Sequence, residues 1–471
     1  MRRRRWRLAT ACIVCLAAIA ACICLSYAGW YRIGCGIKDT QWTKPLAYPN
    51  RNSGRQDDPK AFASAAVCGA CHTQHYAEWR NSGMGRSSAL SSFLIDLYQA
   101  SLDIRGAPAE DIEQCLRCHA PLAVMGEDPD YAIEHALSRE AVNCDVCHTA
   151  VAAHANDAPA MIEWDPSGPK RGPLPGSLDP DVPGVVRALS PHHATQYSPL
   201  HESSELCGAC HMSLWPTNGL PIDWTYPEWK RSPYAEKGIT CQNCHMPTYT
   251  GVAAPGAPTR GNLHRHTFRG GGDPELVRGT AEIGIRVTPH FAGHEVEVEV
   301  ENTRAGHAFP TGNATAPVVK LIFEAFDHAD TLVFSGIREY RLTYIDAEGQ
   351  PTNDPSAAVA QKSDTTLQPL EPRHERFFVA THHEAVRVSA RLVYQRWNDE
   401  IVGEHSTDVL GEFIGRYLKQ GLQVHRLVAN LDQLSLEKLD RVRNMKPIVV
   451  DEAESVLPPR PQLPPYLRQR R

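Results

Sequence analysis

The pentapeptide Cys-x-x-Cys-His occurs five times between residues 68 and 245, and this constrains the fold more than any other feature. The copies are Cys68-Gly-Ala-Cys71-His72, Cys115-Leu-Arg-Cys118-His119, Cys144-Asp-Val-Cys147-His148, Cys207-Gly-Ala-Cys210-His211 and Cys241-Gln-Asn-Cys244-His245. Each is the attachment signal for a c-type haem. The two thiols add to the haem vinyl groups, and the adjacent histidine is carried under the iron as its proximal ligand. Five porphyrins in so short a stretch must themselves fill the interior, because few residues are left for an apolar core.

Other uses of these cysteines fit poorly. A zinc site joins two Cys-x-x-Cys knuckles per metal, and the number of knuckles here is odd. A disulfide framework has no need of a histidine after every second cysteine. Ten of the 15 cysteines lie in the motifs, and none follows Cys244. The remaining five, Cys12, Cys15, Cys22, Cys24 and Cys35, lie in or beside an apolar segment at the N-terminus.

That segment follows an arginine cluster, Met1-Arg-Arg-Arg-Arg-Trp-Arg7, and runs from Leu8 to about Tyr31. About 20 apolar residues suffice to cross a bilayer as a helix. The arginines stay in the cytoplasm, so the rest of the chain faces outward, where c-type haems are attached as a class. The expectation is a bacterial inner-membrane anchor over residues 1–31 with the haem domain in the periplasm. Two other readings of the segment stay open. Ile19-Ala20-Ala21-Cys22 resembles a lipobox, and Ser26-Tyr27-Ala28 resembles a signal-peptidase site. Net charge is −6 before any haem propionates. No basic face suggests nucleic acid as a partner.

At 471 residues the chain allows two or three domains beyond the anchor. The expected fold class is α+β. A polar linker over 32–64 leads to a pentahaem domain over 65–275, mainly short helices and irregular loops. The clearest loop is Asp165-Pro-Ser-Gly-Pro-Lys-Arg-Gly-Pro-Leu-Pro-Gly176. From residue 278 to 450 the pattern becomes period-two: Ile283, Ile285 and Val287; Val296, Val298 and Val300; the run Val318 to Phe326; Phe377 to Ala380; and Val386 to Tyr394. Alternation with turns between argues an antiparallel β-sandwich, with a short helical part near Phe413 to Met445. Residues 451–471 read as a proline-rich, extended tail.

Several phrases outside the motifs, together with the motifs, resemble the multihaem c-type cytochromes related to hydroxylamine oxidoreductase and its tetrahaem electron acceptor. They are Trp79-Arg-Asn-Ser-Gly-Met84, Ser190-Pro-His-His-Ala-Thr-Gln-Tyr-Ser-Pro-Leu200 with Ser204 to His211, and Glu228 to Gly238. His266-Thr-Phe-Arg-Gly-Gly271 and Gly306-His-Ala-Phe-Pro-Thr-Gly312 complete the set. The resemblance covers about residues 65–315 and nominates ligands for the far side of each iron. These are His266, His307, and His193 in preference to His192, with His135 and His154 as weaker candidates. Met84 stands where that family usually has histidine, and a thioether ligand there would raise the potential of the first haem. The competing role for Met84 is a core methionine. His75, Met212 and Met246 sit too close to proximal histidines to reach the opposite face of the same haem.

The function these features point to is an exported, membrane-anchored pentahaem electron carrier working with redox partner proteins. An enzyme acting on a small nitrogen or sulfur compound is the alternative, and it needs one haem with an open distal site. No Cys-x-x-Cys-Lys variant marks such a haem. A third expectation, compatible with the first, is that the sandwich docks the cytochrome in a larger assembly.

Overall fold

A computed structural model of the chain describes residues 62–87, 116–125, 138–155, 162–174, 177–178, 186–187, 190, 192–215, 218–353, 357–399 and 445–461. The expected membrane helix, nearly all of the linker, Cys115 and His135 lie outside these residues, as does nearly all of the helical stretch expected from Phe413 to Met445. Among the described residues, no helix is long and apolar enough to cross a membrane. All of them belong to one compact unit running from Gly54 to Arg471.

The motif-bearing part is built from short helices, several of them started by polar caps. Helix α1 (Ala65–Gly69) opens where Ser64 accepts from the Ala66 amide, and α2 (Thr73–Arg80) follows the first motif. Helix α3 (Pro121–Met125) follows the second motif, and α4 (Cys144–His148) is the third motif itself, capped by Asn143. Helix α5 (Ser204–Gly208) carries the start of the fourth motif and is capped by Ser203. Then come α6 (Thr225–Lys230), α7 (Pro233–Glu236) and α8 (Cys241–His245), the last with a reciprocal Thr240–Asn243 capping box. Helix α9 (Pro274–Val277) closes the segment, with Asp273 as its cap. A cap satisfies amides that a helix this short would otherwise leave open, which fixes where α1, α4, α5 and α8 begin.

The intervening loops are more ordered than expected. Within the proline-rich loop, Lys170–Gly172 is a strand paired in parallel with Thr195–Tyr197. Ala150–Ala153 pairs with Ile162–Trp164, and Thr248–Val252 with Thr259–His264. Local pairing satisfies backbone polar groups that pass close to the motif helices.

From residue 282 two antiparallel sheets face each other. One has the order β1-β2-β5, from β1 (Glu282–His290), β2 (Gly293–Glu301) and β5 (Arg373–Ala380). The other has the order β4-β3-β6-β7, from β3 (Val318–Phe326), β4 (Leu332–Tyr340), β6 (Arg387–Gln395) and β7 (Ile448–Val456). Alternate residues of the facing strands meet in one core, including Val296, Val298, Val300, Leu321, Phe323, Phe377 and Leu392. Phe323 and Phe377 stack across it at 4.3 Å between centroids. Burying aromatics of this size contributes about 3–5 kcal/mol each against alanine.

Strands β4 and β7 carry no clear apolar alternation. Gly336 interrupts β4 because a Cβ there would come within 2.8 Å of the Phe377 ring. Strand β7 carries the acidic residues Asp451, Glu452 and Glu454, and runs to Val456, past the boundary expected at residue 450.

Several hydrogen bonds tie the strand-rich part to the motif-bearing part. The Tyr344 hydroxyl donates to the Pro221 carbonyl at 2.6 Å, the Tyr234 hydroxyl to the Thr303 carbonyl at 2.6 Å, and the Ala314 amide to the Ile222 carbonyl at 2.7 Å.

Candidate haem-binding site

Two motif pairs share one construction. In Cys68-Gly-Ala-Cys71 and in Cys207-Gly-Ala-Cys210 the glycine lies flat against a tyrosine, where a Cβ would fall 2.5 Å from Tyr76 or Tyr226. Each tyrosine leans at 33° on a tryptophan three residues on, Trp79 or Trp229, with centroids 5.7 and 5.6 Å apart. The Trp79 indole donates to the Val142 carbonyl at 2.7 Å, and the Trp229 indole to the Ile239 carbonyl at 2.8 Å. Both acceptors sit two residues before the first cysteine of another motif, Cys144 or Cys241. The first motif is thereby clamped to the third, and the fourth to the fifth.

The thiols show the same neighbours. Cys68 lies beside Cys144, Cys207 beside Cys241, and Cys118 beside Cys210. The third motif adjoins the fourth through His201, whose Nε2 meets the Cys147 carbonyl at 3.0 Å. The motifs therefore run 1–3–4–5 in space, with the second beside the fourth.

The imidazoles are held for ligation. His72 Nδ1 meets the Ala253 carbonyl at 2.9 Å, His148 Nδ1 the Arg171 carbonyl at 2.5 Å, and His245 Nδ1 the Arg269 carbonyl. An N–H fixed to a carbonyl sets the tautomer and leaves Nε2 with its lone pair. The residues opposite behave alike. His307 Nδ1 is 2.8 Å from the Ala308 carbonyl, His266 Nδ1 3.0 Å from the His264 carbonyl, and His193 Nδ1 3.2 Å from the Ala194 carbonyl. Burial holds His266 down to about 3 and His307 to about 4, so both rings stay neutral, the form that binds metal.

Ring spacing fits one metal between each pair. A metal–imidazole bond of about 2 Å puts two opposed ring centres roughly 6 Å apart. His72 and His193 are 6.2 Å apart, His148 and His266 6.1 Å, and His245 and His307 6.3 Å. The last two pairs are nearly parallel, at 21° and 19°. With paired cysteines beside each proximal ring, these residues fit covalently attached haem.

His201 is a ligand candidate that the sequence reading missed. Its ring stacks on His148 at 5.5 Å, and its buried Nδ1 has no partner. It competes with His266 for the third motif through the opposite nitrogen. Its only signal in the sequence is its position shortly before Cys207. The buried His119 Nδ1 also lacks a partner.

Among the other candidates, Met84 lies beside the second motif. Its carbonyl accepts from the Val142 amide at 3.3 Å and from Ser87, whose hydroxyl also reaches the His119 carbonyl at 2.7 Å. His154 is at the surface, 2.7 Å from Glu163. His192 is exposed. The His75 Nε2 meets the Tyr249 hydroxyl at 3.1 Å.

The loop bearing His307 is pinned by buried Asn302. Its amide donates to the carbonyls of His307 at 2.9 Å and Leu367 at 3.2 Å, while its oxygen accepts from Ala305 at 2.9 Å. His211 differs from the other proximal histidines: its Nδ1 meets a carboxylate, Asp223 Oδ2, at 2.9 Å. Burial lowers the affinity of this ring for a second proton, but the Asp223 charge and hydrogen bond outweigh that and lift it to about 9. A carboxylate partner increases electron density on Nε2.

Residues 67–149, which span the first three motifs, match the family described as cytochrome c554 and c-prime. These findings support a multihaem c-type cytochrome. The fold is also similar to a solved structure, a penta-heme cytochrome c552 from Thermochromatium tepidum. The TM-score is 0.61 at 20% identity, covering 85% of this chain and 100% of that one, which is a likeness of fold. No curated protein matches the chain. Neither match concerns hydroxylamine oxidoreductase, so that tie rests on the sequence phrases alone.

Proposed function

We propose that the chain is an exported pentahaem electron carrier, anchored in the membrane by residues 1–31 and serving a respiratory chain from the periplasmic side. The observation that carries the reading is the spacing of opposed imidazoles, 6.1–6.3 Å across three pairs. An iron with imidazoles on both faces has no site left for a substrate and can only take up and pass on an electron. The residues of the chain supply order and tuning. The clamps from Trp79 and Trp229 hold the motifs at close range, and the 1–3–4–5 order gives a continuous route with the second motif as a branch.

The resting spin state of the purified holoprotein tests this. Low-spin signals from the irons at His72, His148 and His245 are expected. High-spin iron at any of these would favour the enzyme alternative. The anchor has its own test: the protein should stay with the membrane fraction through alkaline washing. A mature chain starting at Gly29, or at a lipidated Cys22, would remove the anchor while leaving export intact.

A further inference from the structure

An unbroken line of short contacts leads away from His211. Asp223 Oδ2 receives the His211 Nδ1–H at 2.9 Å, and Asp223 Oδ1 accepts from the Thr225 hydroxyl at 2.6 Å and its amide at 3.0 Å. Thr225 Oγ1 is 3.0 Å from Thr311 Oγ1, and Thr311 Oγ1 is 2.7 Å from Glu228 Oε2. The line joins α6 to the loop that also carries His307.

Counting protons along it is informative. A threonine hydroxyl has one proton to donate. Thr225 gives its proton to Asp223, so the contact between the two hydroxyls needs the Thr311 proton. With Glu228 ionised, Thr311 turns its proton to the carboxylate and the inter-hydroxyl contact is left without one. Every contact is satisfied only when Glu228 is the protonated end and donates to Thr311. One proton on Glu228 therefore sets which way the Thr311 hydroxyl points, and with it whether the line as far as Asp223 is complete.

The surroundings bring that state within reach near neutrality. Burial raises the Glu228 carboxyl first, the Asp223 and Asp364 charges raise it further, and bonds from Thr311 and the Ala308 amide oppose them, leaving it at about 7. Asp223 is held ionised by His211 and Thr225, against its own burial, at about 2.

We propose that Glu228 is a redox-linked proton site: it takes up one proton from bulk water for each electron that the metal carried by His211 receives from a neighbouring haem or a redox partner, and releases it when the electron leaves. Electron and proton arrive together, so the added negative charge is neutralised within the fold. The coupling is reciprocal, since a proton on Glu228 must ease reduction as much as reduction eases protonation. The inference rests on the reading that Cys207, Cys210 and His211 hold a haem.

The test is a set of redox titrations of the holoprotein at several pH values, after peptide mass mapping of the Cys207–Cys210 attachment. One potential should fall as pH rises through 7, by up to about 59 mV for each tenfold change in proton concentration. Glu228→Gln should flatten that slope and leave the other potentials in place, and Thr311→Val, which removes the bridging hydroxyl, should weaken it. A slope that survives Glu228→Gln overturns the proposal. Missing haem on Cys207 and Cys210 would overturn the functional reading as well. An infrared difference spectrum of the unaltered protein is independent of how the variants fold. It should show a carboxylic-acid band gained on reduction, and its absence would also overturn the proposal.

Discussion

At the scale of single residues, the side chain opposite each proximal histidine decides what its iron can do. His193 stands 6.2 Å from His72, while Met84 is bonded through its backbone toward the second motif. His193→Ala should therefore convert one low-spin iron to high-spin, read by paramagnetic resonance, and Met84→Ala should leave the His72 iron low-spin. A high-spin iron at His72 in Met84→Ala would restore the thioether as its ligand. The proposed proximal histidines can be read from the motif alone, because covalent attachment would fix them one residue after the second cysteine. His193, His266 and His307 were reachable only through phrase resemblance. His201 was not reachable, because its role depends on the Cys147 carbonyl 54 residues earlier. The line from Glu228 to His211 likewise joins residues from three separate stretches, and no spacing rule connects them.

At the scale of elements, the loop 306–312 shows how a sheet connection can serve a metal site. Asn302, at the end of β2, holds the His307 carbonyl, the Leu367 carbonyl and the Ala305 amide at once. Asn302→Ala strands buried groups at about 1–3 kcal/mol each. It should lower thermal stability and also loosen the imidazole opposite His245. Melting followed by circular dichroism, alongside the optical spectrum, checks both; a stability loss with an unchanged low-spin spectrum would show that the loop keeps His307 without Asn302. Strands β1, β2, β3 and β6 were legible from period-two apolar residues. Strands β4 and β7 were hidden, because Gly336 yields space to Phe377 and because β7 is an acidic edge strand.

At the scale of the whole molecule, neutral buried imidazoles add to the loss of stability in acid. His266 and His307 are held at about 3 and about 4 against an ordinary 6.5. Below 6.5 the unfolded chain binds protons that the folded chain refuses. Their contribution to stability is therefore complete above 6.5 and is lost progressively as pH falls toward 4. Unfolding by denaturant should show a midpoint that drops over that window; a flat midpoint from pH 7 to 4 would contradict the neutral-imidazole account. The two-part organisation follows from composition along the chain: where cysteines and histidines crowd, attached groups would complete the interior, and where β-branched residues alternate, side chains make it. The central claim is that all five motifs hold haem covalently, and intact-mass measurement of the denatured, acid-washed chain with peptide mapping tests it most directly. Five haem additions, one on each Cys-x-x-Cys-His peptide, are predicted, and a mature chain carrying fewer would contradict the account.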